Sequence, residues 1–178
     1  MLKPRYFLVA SGLMTQLMFI GCAPPATEPT ATKTPTVPVK VADNAMINRL
    51  DGGDGISLSG TRSKPAMVYI FGSWTDSSDA SVAWLKSFPR DTMDVIPVIV
   101  DINIGADQKF AIQSRLGDLP VYQADAATIK ALGSVRALPT AILLGVDGKV
   151  RNKWEGYVPV DVVMKDLLQP TQAVIPIE

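Results

Sequence analysis

Ala66-Met67-Val68-Tyr69-Ile70-Phe71 is an unbroken apolar run with no alternation of period two. Such a run predicts a strand covered on both faces, as in a parallel sheet. Val95 to Ile102 reads as a second strand, and Pro97 inside it predicts a bulge or a position near the strand start. Between them, Ser78 to Ser87 carries helical spacing and would turn Ala80, Ala83, Trp84 and Phe88 towards the sheet. Asp107 to Leu116 reads as a helix with Phe110, Ile112 and Leu116 apolar, and Ala126 to Leu132 as a shorter one. Pro120-Val121-Tyr122 is a short extended piece between them. Thr140 to Val146 and Val150 to Trp154 are strands joined by Asp147-Gly148, a hairpin turn signal. Val160 to Leu168 is a last amphipathic helix, opened by Pro159 and Asp161 and stopped by Pro170. Ile56-Ser57-Leu58 adds a short strand near the start. The order is βαβ, an inserted helical segment, then ββα, which predicts an α/β domain.

The first 43 residues have a different character. Lys3 and Arg5 precede a mostly apolar stretch, Tyr6 to Ile20, broken by Ser11, Gly12, Thr15 and Gln16. It is too short and too interrupted for a membrane span, which takes about 20 apolar residues, and reads as an export signal. Phe19-Ile20-Gly21-Cys22 closes it and resembles a bacterial lipobox, with Phe19 where Leu is usual. The resemblance implies cleavage after residue 21 and acylation of Cys22, hence export and a lipid anchor on the periplasmic or outer face of the cell envelope. Residues 22–43 are rich in Pro and Thr, a composition unable to bury enough apolar surface to offset ordering entropy, and are expected to be an extended tether. One domain, residues 44–178, is expected to follow.

Charge and composition narrow the chemistry. Lys plus Arg and Asp plus Glu both number 17, and no basic stripe is present, which argues against a nucleic-acid partner. The chain has no histidine and a single cysteine, Cys22. Zinc and copper sites of the usual kinds, and the commonest general base, are therefore disfavoured, and no metal or cofactor is implied.

The segment Phe71-Gly72-Ser73-Trp74-Thr75-Asp76-Ser77-Ser78, Lys64-Pro65 before it, the stretch Gly133-Ser134-Val135-Arg136-Ala137-Leu138-Pro139-Thr140, and the hairpin Leu144 to Val150 followed by Trp154-Glu155-Gly156 together resemble the thioredoxin superfamily. Within it they resemble the membrane-tethered TlpA/ResA-like branch. The resemblance implies a thioredoxin-like fold: a mixed central sheet flanked by helices, with a helix and strand inserted before a cis-proline. Pro139 would be that proline, facing the turn after Trp74. In thioredoxins that turn reads Trp-Cys-x-x-Cys; here Thr75 and Ser78 stand at the cysteine positions. The Glu and Pro usual in the following helix are Ser81 and Ala83. Thiol–disulfide exchange needs a thiolate attacker and a sulfur leaving group. A helix N-terminus favours an anion by only about 0.3–2 kcal/mol, roughly one pKa unit, too little to make a hydroxyl a substitute. A serine nucleophile at Ser78 has only Lys86 as a nearby amine, two turns along the helix.

Three functional readings remain open. The first is a redox-inactive lipoprotein that binds a protein or peptide along the cis-proline surface, with Trp74, Asp76, Ser77, Leu138, Pro139 and Tyr157 as candidates. The second is an oxidoreductase acting with a partner's thiols, as the resemblance implies. The third is a small-ligand or anion binder at the helix N-terminus, which Asp76 and Asp79 oppose.

Overall fold

The computed structural model describes residues 32–34, 39–41, 45–74, 78–101 and 103–168. Residues 1–31, with Cys22 and the export signal, lie outside them, as do Thr75, Asp76, Ser77 and the tail 169–178.

Nine strands and four helices follow one another along the described chain: β1 Thr32–Thr34, β2 Val39–Lys40, β3 Met46–Arg49, β4 Ile56–Ser57, β5 Ala66–Phe71, α1 Ser78–Lys86, β6 Asp94–Ile99, α2 Ala106–Leu116, β7 Tyr122–Gln123, α3 Ala126–Ala131, β8 Thr140–Leu144, β9 Lys149–Glu155 and α4 Val160–Leu168. The sheet order is β1-β9-β8-β5-β6-β7-β3-β4, with β2 also on β9. β5 lies at the centre, parallel to β6 and antiparallel to β8. All six of its residues are buried. Alternate side chains serve two cores. Met67, Tyr69 and Phe71 pack with Trp84, Leu85, Ile112, Leu116 and Val163 from α1, α2 and α4. Ala66, Val68 and Ile70 pack on the other face with Ile47, Leu58 and Leu132, the last at the end of α3. Coverage on both faces is why the run shows no alternation.

Several expectations are corrected. Ala80 and Ala83 are exposed; the buried stripe of α1 is Ser81, Trp84 and Leu85, continued by Phe88 just past its end. A serine heads that stripe, so the apolar pattern alone misplaces the face. Phe110 is 76% exposed, whereas Ile112 and Leu116 one turn apart are buried. Pro97 makes no bulge: β5 and β6 stay in register from Asp94 to Ile99. Asp94 and Val100 both donate their amides to the β5 side. Odd-numbered positions of β6 therefore turn their nitrogens towards β7, which pairs only with Val98 and Ile99. The N–H that Pro97 lacks falls before β7 begins. Strand β3 carries no strong sequence signal and is added here. Two pieces of the Pro/Thr segment, β1 and β2, pair antiparallel with β9 instead of standing off as spacer. The β8–β9 turn needs its glycine, since Gly148 has φ +71 and a side-chain carbon there would lie 2.4 Å from the Gly60 carbonyl oxygen.

Candidate functional site

Ile70 of β5 pairs with Thr140 of β8, so the chain leaving β5 through Gly72 and the chain entering β8 through Pro139 emerge side by side. The Leu138–Pro139 bond is cis, as the sequence reading expects. Leu138 and Pro139 are half-buried. Their loop is tied down from behind: Thr140 Oγ1 donates to the Ala137 carbonyl at 2.6 Å, and the Gly156 amide donates to the Pro139 carbonyl at 2.8 Å.

Across from this loop, Asp101 holds the turn after β5. It is 7% exposed. Its carboxylate accepts from the Ser73 amide at 3.0 Å and from the Ser73 hydroxyl. Gln108 Nε2 donates to that hydroxyl oxygen at 2.8 Å, and Gln123 Nε2 donates to the Asp101 carbonyl at 2.5 Å. Asp101, Gln108 and Gln123 are absent from the sequence-based candidates. The sequence reading runs the strand from Val95 to Ile102 through Asp101, whereas β6 ends at Ile99, and nothing local announces a partner 28 residues away. Trp74 is 64% exposed and is therefore no core aromatic. Its ring lies over Gly72, where a side-chain carbon would come within 2.8 Å of it. Ser78 opens α1; Thr75, Asp76 and Ser77, between Trp74 and α1, lie outside the described residues.

A cleft of about 740 Å³ opens beside the cis-proline loop. It is lined by Val100, Asp101, Gln123 and Ile129, by residues 135–138 and by Asn48 of β3. Among the described residues of the predicted surface, Leu138 lines it and Trp74, Pro139 and Tyr157 do not. Tyr157 is 38% exposed.

The chemistry available is limited. The described residues include no cysteine and no histidine. Ser81, where the resemblance implies a Glu, is buried and shares a hydrogen bond of 2.9 Å with the Tyr69 hydroxyl. Burial pushes the Tyr69 phenol up to about 12, so both groups are neutral at physiological pH. Lys86 sends its ammonium to the Arg115 carbonyl at 2.9 Å, at the far end of α1 from Ser78, which leaves no Ser–Lys pair. Asp79 in the first turn of α1 pairs with Arg115. No three His, Cys, Asp or Glu side chains gather as a metal site among the described residues. Nor is any described helix long and apolar enough to cross a membrane.

No family model matches the chain, and no curated protein matches it in sequence. Solved structures do. A DsbF homologue from Corynebacterium diphtheriae aligns with a TM-score of 0.63 and 17% identity, over 81% of this chain and 94% of its own. The pneumococcal exposed lipoprotein thioredoxin from Streptococcus pneumoniae aligns with a TM-score of 0.58 and 22% identity, over 68% of this chain and 96% of its own. A thiol-disulfide oxidoreductase from Bacteroides fragilis aligns with a TM-score of 0.56 and 20% identity, over 69% and 96%. The strand order around β5, the cis-proline entering β8 and these matches agree: this chain has a thioredoxin-like fold.

Proposed function

We propose that this protein is a redox-inactive thioredoxin-like lipoprotein of the cell envelope that binds an extended segment of a protein or peptide partner at the cis-proline loop. The observation that carries the reading is a combination: the cleft and the cis-proline edge are built, while Thr75 and Ser78 stand at the positions for exchange chemistry. An extended chain laid against Leu138 would exchange main-chain hydrogen bonds with the loop and place side chains in the cleft. Trp74 offers an exposed indole at the same end of the sheet, the amphipathic kind of surface that partner sites favour. Asp76 and Ser77 remain candidate contacts by their place in the sequence between Trp74 and Ser78. Acylation of Cys22 would tether this surface to a membrane, and the chain would need neither metal nor cofactor.

The test is a library of unstructured peptides screened against the full chain, with contacts mapped by NMR. Binding that perturbs Leu138, Val135 and Trp74, and that weakens about tenfold or more in Leu138→Arg, is the expected result. Peptides that bind elsewhere, or none that bind, would remove the reading. A second reading is that the chain works with a partner's thiols, which its likeness to the thiol-disulfide oxidoreductase from Bacteroides fragilis motivates. Turnover of a disulfide substrate by the unmodified chain with an added monothiol would favour it.

A further inference from the structure

Lys153 of β9 is 7% exposed, unusual for a lysine. A buried ammonium is costly unless its donors are all met. Here its nitrogen has three oxygen partners: the Gly133 carbonyl at 3.1 Å, the Ser134 carbonyl at 2.5 Å and Glu155 Oε1 at 2.9 Å. Three partners match the three N–H donors of an ammonium. The two carbonyls belong to successive residues with positive φ, Gly133 at 91° and Ser134 at 53°. A serine adopts that region uncommonly, so the backbone here is held against its own preference. Glu155 grips the same loop one step further on, taking a hydrogen bond from the Arg136 backbone. Above all, its hydrogen bond with Lys153 holds its carboxyl below the usual range.

These contacts have a pattern. Residues 133, 134 and 136 are held by Lys153 and Glu155, 137 by Thr140 and 139 by Gly156. Val135 and Leu138 line the cleft. We propose that Lys153 and Glu155 are positioning residues that clamp the cis-proline loop from behind so that Val135 and Leu138 form the ready-made wall of a peptide-binding cleft. The inference rests on the peptide-binding reading above. Its added content is that two charged residues of β9, neither lining the cleft, set its affinity by preorganising its wall.

Amide hydrogen exchange and peptide affinity, both on the full chain, test it. The variants are Lys153→Met, Lys153→Arg and Glu155→Gln. Lys149→Met is the control, since it removes only the exposed pair with Asp147 at 3.6 Å. Lys153→Met should speed exchange of amides 134–138 by about tenfold or more, with β5 nearly unchanged. Affinity for a library-selected peptide should fall by about tenfold, and Lys153→Arg, which keeps charge and donors, should recover part of both losses. Exchange rising equally in β5 would make Lys153 a general stabiliser and overturn the proposal. So would a loosened loop with unchanged affinity. If Lys153→Met does not fold, Glu155→Gln is read by the same criteria. If the unmodified chain binds no peptide, the binding reading and this role fall together; unchanged affinity in the variants removes this role alone.

Discussion

Tyr69 of β5 and Ser81 of α1 share a buried hydrogen bond of 2.9 Å, formed where the resemblance implies a carboxylic acid. Tyr69 lies between rings, with the Trp84 centroid at 4.6 Å and the Phe71 centroid at 5.9 Å. A polar pair therefore sits inside an otherwise apolar core and carries no charge.

That burial has a readable pH signature. The Tyr69 phenol is raised from 10.0 to about 12 on folding, burial being the main cause. Below pH 10 both states hold the proton and the stability is fully present. Between the two values the unfolded chain loses it and the folded chain keeps it, so stability falls as pH rises. The slope is about 1.4 kcal/mol per pH unit, up to about 3 kcal/mol in total. Urea unfolding at stepped alkaline pH should show this limb, and Tyr69→Phe should flatten it. An unchanged slope in Tyr69→Phe would assign the limb to other groups.

Asp101 should be worth more to the site than its place after a strand suggests. Asp101→Ala removes the acceptor of two Ser73 hydrogen bonds, and bonds to a carboxylate contribute about 1.5–3 kcal/mol each. A loss of about 2 kcal/mol in urea unfolding is expected, with a shift in the emission of Trp74, which follows Ser73 directly. A loss under about 0.5 kcal/mol, the size of an ordinary surface change, would show that the turn holds itself.

Restoring sulfur should restore some chemistry. The unmodified chain is expected to reduce no insulin disulfide above the reductant blank. Thr75→Cys with Ser78→Cys places a dithiol at the start of α1, and the double variant should close an intramolecular disulfide and gain weak insulin-reducing activity. Ser81 and Ala83, in place of the Glu and Pro, should keep it slow. Activity in the unmodified chain would overturn the redox-inactive reading; a folded double variant that closes no disulfide would show that residues 74–78 form a different turn.

Cys22 should be the anchor. Cells fed a clickable fatty acid should label the chain, and Cys22→Ala should lose both the label and membrane fractionation. Label retained in Cys22→Ala would show the lipobox resemblance to be misleading.

How much of this is legible in the sequence depends on how locally each feature is encoded. Ala66–Phe71 and Val160–Leu168 are legible to the residue, because one is an unbroken apolar run and the other has one apolar side between proline stops. The cis bond at Pro139 is legible through resemblance, its neighbours being Leu138 and Thr140. The α1 face is not, since Ser81 fills a core position and its partner Tyr69 is 12 residues away. Nor is the cleft, whose walls come from Asn48, Gln123 and Leu138, side chains united only by sheet order. Lys153 reads as an ordinary surface lysine until Gly133 and Ser134 are seen to turn their carbonyls towards it.

The short strands β1 and β2 also decide where the domain can be cut. β9 is seven residues long, with β8 on one side and these two pieces on the other. The opposite border is β4, only two residues. A chain begun at residue 44 would strip β9 bare and offer a long row of free main-chain groups as a template for another molecule. Such a fragment should self-associate through β9, seen as a concentration-dependent mass in light scattering, where the full chain carrying Cys22→Ala should stay monomeric. A monomeric fragment would mean that β9 needs no cover. Self-association of the fragment would assign β1 and β2 the role of guarding β9 against edge-to-edge pairing.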